Sequence, residues 1–132
     1  MRKNKDEEFD LQVAITDYLD RKYPAVLYRS DMAGVKLPIG LAVKLKKIQK
    51  EGIRWPDLTI LEPRGRFYGL ILELKKNWEE LYTKKGAFRE TEHIKAQSET
   101  LSLLSQRGYM STFACGIDEA MEIIDEYMGL RQ

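Results

Sequence analysis

The segment GLILELKK, residues 69–76, constrains the fold more than any other part of the chain, because it is strongly apolar and carries charges in its middle. Period-two alternation predicts a β-strand whose two faces differ. One face carries Ile71, Glu73 and Lys75, and the other carries Leu70, Leu72 and Leu74. Helices before and after the strand predict that both faces are covered. A buried carboxylate is costly unless it is paired or coordinated, so Glu73 needs a partner, which Lys75 can supply.

The same region predicts a β-hairpin. Two strand-like runs, at roughly 57–62 and 67–75, flank Pro63-Arg64-Gly65, a sequence typical of a turn. The first run begins with Asp57, so the hairpin adds a second carboxylate to the region. Whether this carboxylate reaches Glu73 depends on the register of the two strands.

Two registers are open at the level of sequence. A five-residue loop pairs Glu62 with Tyr68 and places Asp57 directly across from Glu73, with Cβ atoms ~5 Å apart. A four-residue loop instead opposes Asp57 to Leu72 and turns the aspartate to the other face. The chemical interpretation of the two carboxylates therefore requires the first register.

Two carboxylates this close repel each other, and a divalent cation is the simplest remedy. The chain has one cysteine, Cys115, which excludes an internal disulfide. Together with the one histidine, His93, it provides too few ligands for a structural zinc site. Any metal must be held mainly by oxygen. Magnesium fits, because it commonly takes one or two protein carboxylates together with water and substrate phosphates.

The rest of the chain follows one α/β pattern. Helices are predicted at about 6–22, 40–51, 92–107 and 117–130, and two further strands at 25–32 and 109–116. In the second helix, Leu41, Leu45 and Ile48 form an apolar stripe. A length of 132 residues is enough for one core and too short for two ordinary domains. We therefore expect a single domain over residues 1–132, with the order α, β, α, β, β, α, β, α.

Charge is distributed unevenly along the chain. Residues 36–95 carry 14 basic and 8 acidic groups, whereas residues 96–132 carry 2 and 6. The basic middle segment is typical either of a phosphate-facing surface or of a solvated face. The candidate phosphate contacts are Lys44, Lys46, Lys47, Lys50, Arg54, Arg64 and Lys76.

Neither a membrane helix nor a secretion signal is predicted. No apolar run approaches the ~18 residues of a membrane span, and the N-terminal MRKNKDEEFD is not typical of a leader. We expect a soluble, cytoplasmic protein without membrane contact, and a phage or bacterial origin is compatible with it.

Pro56-Asp57, followed after the hairpin by Glu73-Leu74-Lys75, resembles the signature of the PD-(D/E)XK nuclease superfamily. Within it, Gln97 after the lysine strand, the Gly108 turn and the terminal GIDEAMEII are most similar to the virus-type replication-repair nuclease (VRR-NUC) domain. The resemblance implies a restriction-endonuclease-like α/β core, with a central mixed sheet flanked by helices. One departure is Arg54-Trp55, where many relatives have a small glycine-containing turn.

The resemblance implies a Mg²⁺-dependent DNA endonuclease, with Mn²⁺ as a substitute. Asp57, Glu73 and the carbonyl of Leu74 would hold one or two cations, and Glu8, in Glu8-x-x-x-Gln12 of the first helix, would reach a second cation through water. Lys75 would orient the attacking water or stabilise the developing charge. Gln97 would position the nucleophile or a phosphate oxygen. The implied assembly is a homodimer acting on branched DNA as a resolvase of four-way (Holliday) junctions.

Other interpretations stay open. The substrate can be a flap or simple duplex, and the chain can be a non-catalytic DNA-binding module or an interaction subunit docking through its acidic C-terminal helix. Asp57 can be a strand-start carboxylate, and Glu73 with Lys75 an ordinary ion pair. Trp55, Trp78 and Tyr82 can stack on bases or pack in a core or dimer interface.

Overall fold

The predicted order of helices and strands is present in the computed structural model, which describes residues 2–31 and 37–132 and, within them, side chains from residue 7 onward. A short 3₁₀ turn at Trp78–Glu80 lies in the polar connection after the hairpin. The predicted strand end at Met32 falls outside the described residues. The elements are α1 Arg2–Lys22, β1 Tyr28–Ser30, α2 Ile39–Lys47, β2 Leu58–Ile60, β3 Leu70–Lys75, α3 Glu92–Gln106, β4 Met110–Cys115 and α4 Gly116–Met128.

The strands form a mixed sheet in the order β1-β2-β3-β4. β1, β2 and β3 pair antiparallel, whereas β3 and β4 pair parallel through the connection that contains α3. A parallel pair needs a long crossover, and the helix provides it. The architecture is therefore the α/β fold with a central mixed sheet flanked by helices that the sequence predicts.

The leucine face of β3 contributes to the main core. Leu70 and Leu72 are fully buried there against residues of α1 and α4, which cover that side of the sheet. The buried partners include Ile15, Leu19, Leu58, Ile60, Ile124 and Tyr127. Burial of a large aliphatic side chain contributes about 1.5–3 kcal/mol, so this layer supplies much of the stability.

The opposite face of the sheet is covered by α3. The helix begins after Thr91, whose hydroxyl accepts a hydrogen bond from the N–H of Ile94 at 3.2 Å. Ile94 and Leu101 are buried on the side of α3 that packs against the sheet. Glu73 and Lys75 lie on this covered face and are 5% and 7% exposed. The prediction that the charged face of β3 is closed to bulk water is confirmed.

Helix α2 forms but takes no part in the core. None of its residues is buried, and Leu41 is nearly half exposed. Ile48, which follows the last residue of the helix, is 80% exposed. The helix also ends at Lys47, earlier than the predicted end at residue 51. An amphipathic pattern predicts a helix from local periodicity, but it does not determine what the apolar side packs against.

The hairpin reverses direction one residue later than the predicted turn. Arg64 and Phe67 exchange backbone hydrogen bonds of 3.1 and 2.8 Å around Gly65-Arg66. Gly65 has φ +56°, a left-handed value that glycine adopts at little cost. Among the described residues, no helix is long and apolar enough to cross a membrane.

Candidate active site

The strand register places the two hairpin carboxylates opposite each other. Leu58 pairs with Leu72 and Ile60 with Leu70, and the same register brings Asp57, immediately before β2, across from Glu73. The Asp57 carboxylate also accepts a hydrogen bond from the N–H of Leu74 at 2.8 Å. The register that corresponds to the five-residue loop is confirmed, and the alternative that opposes Asp57 to Leu72 is excluded.

Glu73 is a buried acid that interacts directly with Asp57. The pKa of Glu73 is raised to about 10, mainly by burial and in addition by a hydrogen bond to Asp57 and by the negative charge of Asp57. Lys75 and Arg54 act in the opposite direction without cancelling the effect. At neutral pH the metal-free carboxyl of Glu73 is therefore protonated and bonded to Asp57.

Lys75 is held by an amide rather than by a carboxylate. Its Nζ donates to Oε1 of Gln97 at 2.9 Å, and both side chains are buried. The ammonium also lies 5.9 Å from the centre of the Phe113 ring. Among the described side chains, no ion pair within 4.0 Å joins Lys75 to Glu73. The interpretation of these two residues as an ordinary ion pair is therefore wrong.

Helix α1 approaches the same place with Glu8 and Gln12. Burial raises the pKa of Glu8, and the charge of Glu80 adds to this shift. Asp57 and Lys75 also influence Glu8 electrostatically, so it belongs to the same charged neighbourhood. One turn along the helix, Nε2 of Gln12 donates to the carbonyl of Asp31 at 3.0 Å and to that of Asp57 at 3.5 Å.

These side chains line one open cleft of about 620 Å³. It gathers all five predicted catalytic residues, the carbonyl-bearing Leu74 and two of the predicted phosphate contacts. The lining residues with predicted roles are Glu8, Lys46, Arg54, Asp57, Glu73, Leu74, Lys75 and Gln97. Residues more than 60 positions apart in the sequence thus meet at one end of the hairpin.

The other predicted phosphate contacts lie outside this cleft. Lys44, Lys47 and Lys50 are exposed on or just after α2. The ammonium of Lys76 is 3.9 Å from Glu7 and 4.0 Å from Glu80, at the outer limit of an ion pair.

Arg64, the remaining predicted phosphate contact, makes bonds within the protein. Its guanidinium pairs with Glu62 at 3.0 Å and donates to the carbonyl of Met128 at 3.0 Å, near the end of α4. It thereby ties the hairpin turn to the C-terminus of a helix, where a positive charge is favourable. Arg64 therefore has a structural role outside the cleft, and its contact with DNA stays a prediction.

Phe9, Asp31, Trp55 and His93 are among the cleft residues that the sequence did not assign to the site, although Trp55 was considered for stacking on bases. His93 lies in the first turn of α3, and burial lowers its pKa, as do the charges of Lys75 and Arg54. Asp31 donates its backbone N–H to the Asp57 carbonyl at 2.8 Å, a contact made by the β1–β2 pairing. The sequence signal for Trp55 was its position two residues before Asp57.

The donor set fits a cation that keeps most of its own water. Among the described side chains, of residues 7–31 and 37–132, no three carboxylate, imidazole or thiolate groups lie close enough to hold one metal ion. Two adjacent carboxylates remain as the candidate ligands, and one of them, Glu73, is buried and has its pKa raised by burial and by Asp57. Mg²⁺ is commonly bound through one or two carboxylates plus water and phosphate, so this set is adequate for it.

A solved structure described as a VRR_NUC domain protein has a similar fold. The match has a TM-score of 0.63 and 23% sequence identity, and it covers 95% of this chain and 90% of that chain. No protein-family model and no curated protein matches the sequence. At this identity the likeness shows that the chain has a VRR-NUC-like fold.

Proposed function

We propose that this chain, which has the fold of a VRR_NUC domain protein, is a metal-dependent DNA endonuclease. The observation that carries the proposal is the contact of the buried Glu73 with the half-buried Asp57, next to the Lys75–Gln97 hydrogen bond. A stable fold gains nothing from two carboxylates forced to share a proton beside a buried ammonium. Perturbed acids of this kind, gathered in a cleft, are typical of catalytic sites.

The chain supplies two carboxylates for Mg²⁺, with Mn²⁺ as a substitute. When bound, a divalent cation polarises the phosphate and lowers the pKa of attacking water. Asp57 is preset for this role, because the Leu74 N–H fixes its carboxylate. Glu73 must lose its proton before it can serve as a ligand. We place Glu8 at a greater distance, acting on a second cation through water, and keep the Leu74 carbonyl as an additional candidate ligand.

Lys75 is the candidate group for the developing negative charge. Its stem is buried and its ammonium is oriented by Gln97, so little reorganisation is needed when charge develops on the phosphate. We assign Gln97 to positioning Lys75, which replaces the expectation that it positions the nucleophile. Arg54 and Lys46, on the rim of the cleft, are suited to neighbouring phosphates of the strand.

We further propose branched DNA as the substrate and a homodimer as the active form. A dimer with two active sites related by a twofold axis would suit a four-way junction, in which two strands are cut. The exposed apolar residues of α2 are compatible with an interface between copies. Sedimentation that finds only monomer at micromolar concentration would contradict the junction proposal.

Cleavage assays on labelled four-way junction, flap and duplex DNA test the function. We expect nicking with Mg²⁺ or Mn²⁺ and none with EDTA, and a loss of at least about 100-fold in Asp57→Ala and in Lys75→Ala. Asp118→Ala and Lys85→Ala, which remove exposed charges outside the cleft, should cut like the wild type.

Each negative outcome has a distinct meaning. Metal-dependent nicking that survives Asp57→Ala would disprove the proposed site. Salt-sensitive binding without nicking by any form would favour a non-catalytic DNA-binding module, and the absence of salt-sensitive binding would favour an interaction subunit.

A further inference from the structure

The cleft contains two aromatic side chains, Phe9 and Trp55, that the proposed chemistry does not use. Trp55 is 45% exposed and Phe9 is also half exposed, and both side chains line the cleft beside Asp57 and Glu8. Metal binding and phosphate neutralisation need oxygen and positive charge, not an indole. Large apolar surface left open to water in a cleft is typical of a ligand contact.

Trp55 is held in place on both sides along the chain. The N–H of Arg54 donates to the hydroxyl of Thr100 at 3.0 Å, and Thr100 is buried in α3. On the other side, Pro56 is fully buried. The indole therefore projects from a backbone that is fixed before and after it. A preorganised aromatic ring loses little conformational entropy when it binds a flat partner.

The chemistry of the cleft limits what that flat partner can be. Lys46 and Arg54 make part of the rim positive, which suits a chain of phosphates. A nucleobase is the flat group attached to such a chain, and its π face stacks on aromatic side chains with little sequence preference. In a paired duplex the neighbouring bases cover those faces. Away from the ends of a duplex, only an unpaired nucleotide can offer one to Trp55.

We propose that Trp55 stacks on an unpaired nucleobase next to the phosphate that is cut, with Phe9 as a second apolar contact. The inference rests on the proposed nuclease function and specifies its substrate as DNA whose pairing is interrupted at the cleavage site. A branch point or the base of a flap provides such a nucleotide. Trp55 is then a specificity-determining residue.

Trp78 provides a matched control for this proposal. It is the only other tryptophan of the sequence and is 54% exposed. It lines a separate hollow together with Glu119, Glu122 and Glu126, where carboxylates repel phosphate. Replacing either tryptophan removes a similar exposed ring, but only Trp55 lies in the cleft.

Binding of a short single-stranded oligonucleotide that contains 2-aminopurine tests the inference, with a blunt duplex of the same sequence as comparison and EDTA present to prevent cutting. We expect the wild type to prefer the single strand and to quench the 2-aminopurine fluorescence. Trp55→Ala should bind the single strand roughly 5- to 100-fold more weakly and lose the quenching. Trp55→Phe should retain part of both effects, and Trp78→Ala should match the wild type.

The inference is overturned if the wild type leaves 2-aminopurine unquenched, or if Trp78→Ala weakens binding as much as Trp55→Ala. Thermal melting of each variant shows whether it is folded, and Trp55→Phe keeps the test valid if the alanine variant unfolds. Failure of the nuclease proposal is distinguishable, because quenching by Trp55 would persist while no DNA is cut in Mg²⁺. The reverse result, normal cutting with no effect of Trp55, would contradict the stacking alone.

Discussion

Replacing Glu73 by glutamine should stabilise the metal-free protein while destroying its response to metal. The glutamate has a pKa of about 10 in the folded protein against 4.5 for the ordinary side chain. Because the folded pKa is the higher one, the stabilising contribution of the neutral carboxyl is complete below pH 4.5 and is lost as the pH rises toward 10. Glutamine is neutral at every pH and does not incur this loss.

The size of the effect follows from the gap between the two pKa values. At 1.36 kcal/mol per pH unit, the three units between pH 4.5 and pH 7.5 correspond to about 4 kcal/mol, and the value falls below about 1 kcal/mol at pH 5. Water in the open cleft screens the pair, so about 4 kcal/mol is an upper value. Glu73→Gln should therefore unfold at higher denaturant concentration than the wild type, increasingly so between pH 5 and pH 8.

Urea unfolding monitored by circular dichroism, in EDTA and then in Mg²⁺, measures both halves of the prediction. Metal should raise the midpoint of the wild type and leave that of Glu73→Gln unchanged. Glu99→Gln, at an exposed position of α3, is the control and should follow the wild type throughout. A difference between Glu73→Gln and the wild type that does not change with pH would refute the reasoning, because it would mean that Glu73 is not forced to hold its proton.

Three further substitutions test other contacts. Gln97→Leu leaves the buried Lys75 ammonium without its acceptor. We expect the rate of cutting at saturating DNA to fall roughly 10- to 100-fold, with the affinity for DNA nearly unchanged. Gln106→Leu, at the exposed end of α3, is the control and should have no effect. Asp125→Asn weakens the acceptor of the Tyr18 and Tyr23 hydroxyls and should lower the free energy of unfolding at pH 7 by about 1 kcal/mol. Burial alone would raise the pKa of Asp125, but hydrogen bonds from Tyr18, Tyr23 and Lys22 lower it. The stability that the ionised Asp125 contributes is therefore present above pH 3.8 and is lost as the pH falls through the lower pKa of the folded protein. An equal effect of Asp125→Asn on the free energy of unfolding at pH 7 and at pH 2 would contradict this reasoning. Gly108 has φ +97°, and the Cβ added in Gly108→Ala would lie 2.6 Å from the Tyr68 ring, so the free energy of unfolding should fall by about 2 kcal/mol, as measured by a thermal melt. Gly40→Ala, with open space around it in α2, should leave the stability unchanged or raise it.

Local patterns were sufficient for most of the fold. The alternation in residues 69–76 predicted both the strand and the burial of Glu73, because adjacent side chains of a strand must point to opposite faces. Helical periodicity predicted all four helices, with boundary errors of a few residues. The hairpin limited the register to two choices, and only the choice that pairs Asp57 with Glu73 is present.

Contacts between distant segments could not be predicted in the same way. The acceptor of Lys75 was expected on its own strand, but it is Gln97 on a helix 22 residues later, because α3 folds back over that face of the sheet. The hydrogen bond of Arg64 to the end of α4 was likewise not predicted from the sequence. Which partner a long side chain meets depends on how the helices dock, and that information is not local.

The sequence by itself determined the order of the elements and the two faces of β3, and it limited the hairpin to two registers, since these follow from side-chain geometry and from the turn chemistry of neighbouring residues. Only the tertiary structure decided that Glu73 keeps a proton, that Lys75 bonds to Gln97 and that Trp55 stands half exposed in the cleft. Protonation, hydrogen-bond partners and exposure all depend on which groups exclude water from one another. That exclusion exists only after the helices have packed on the sheet.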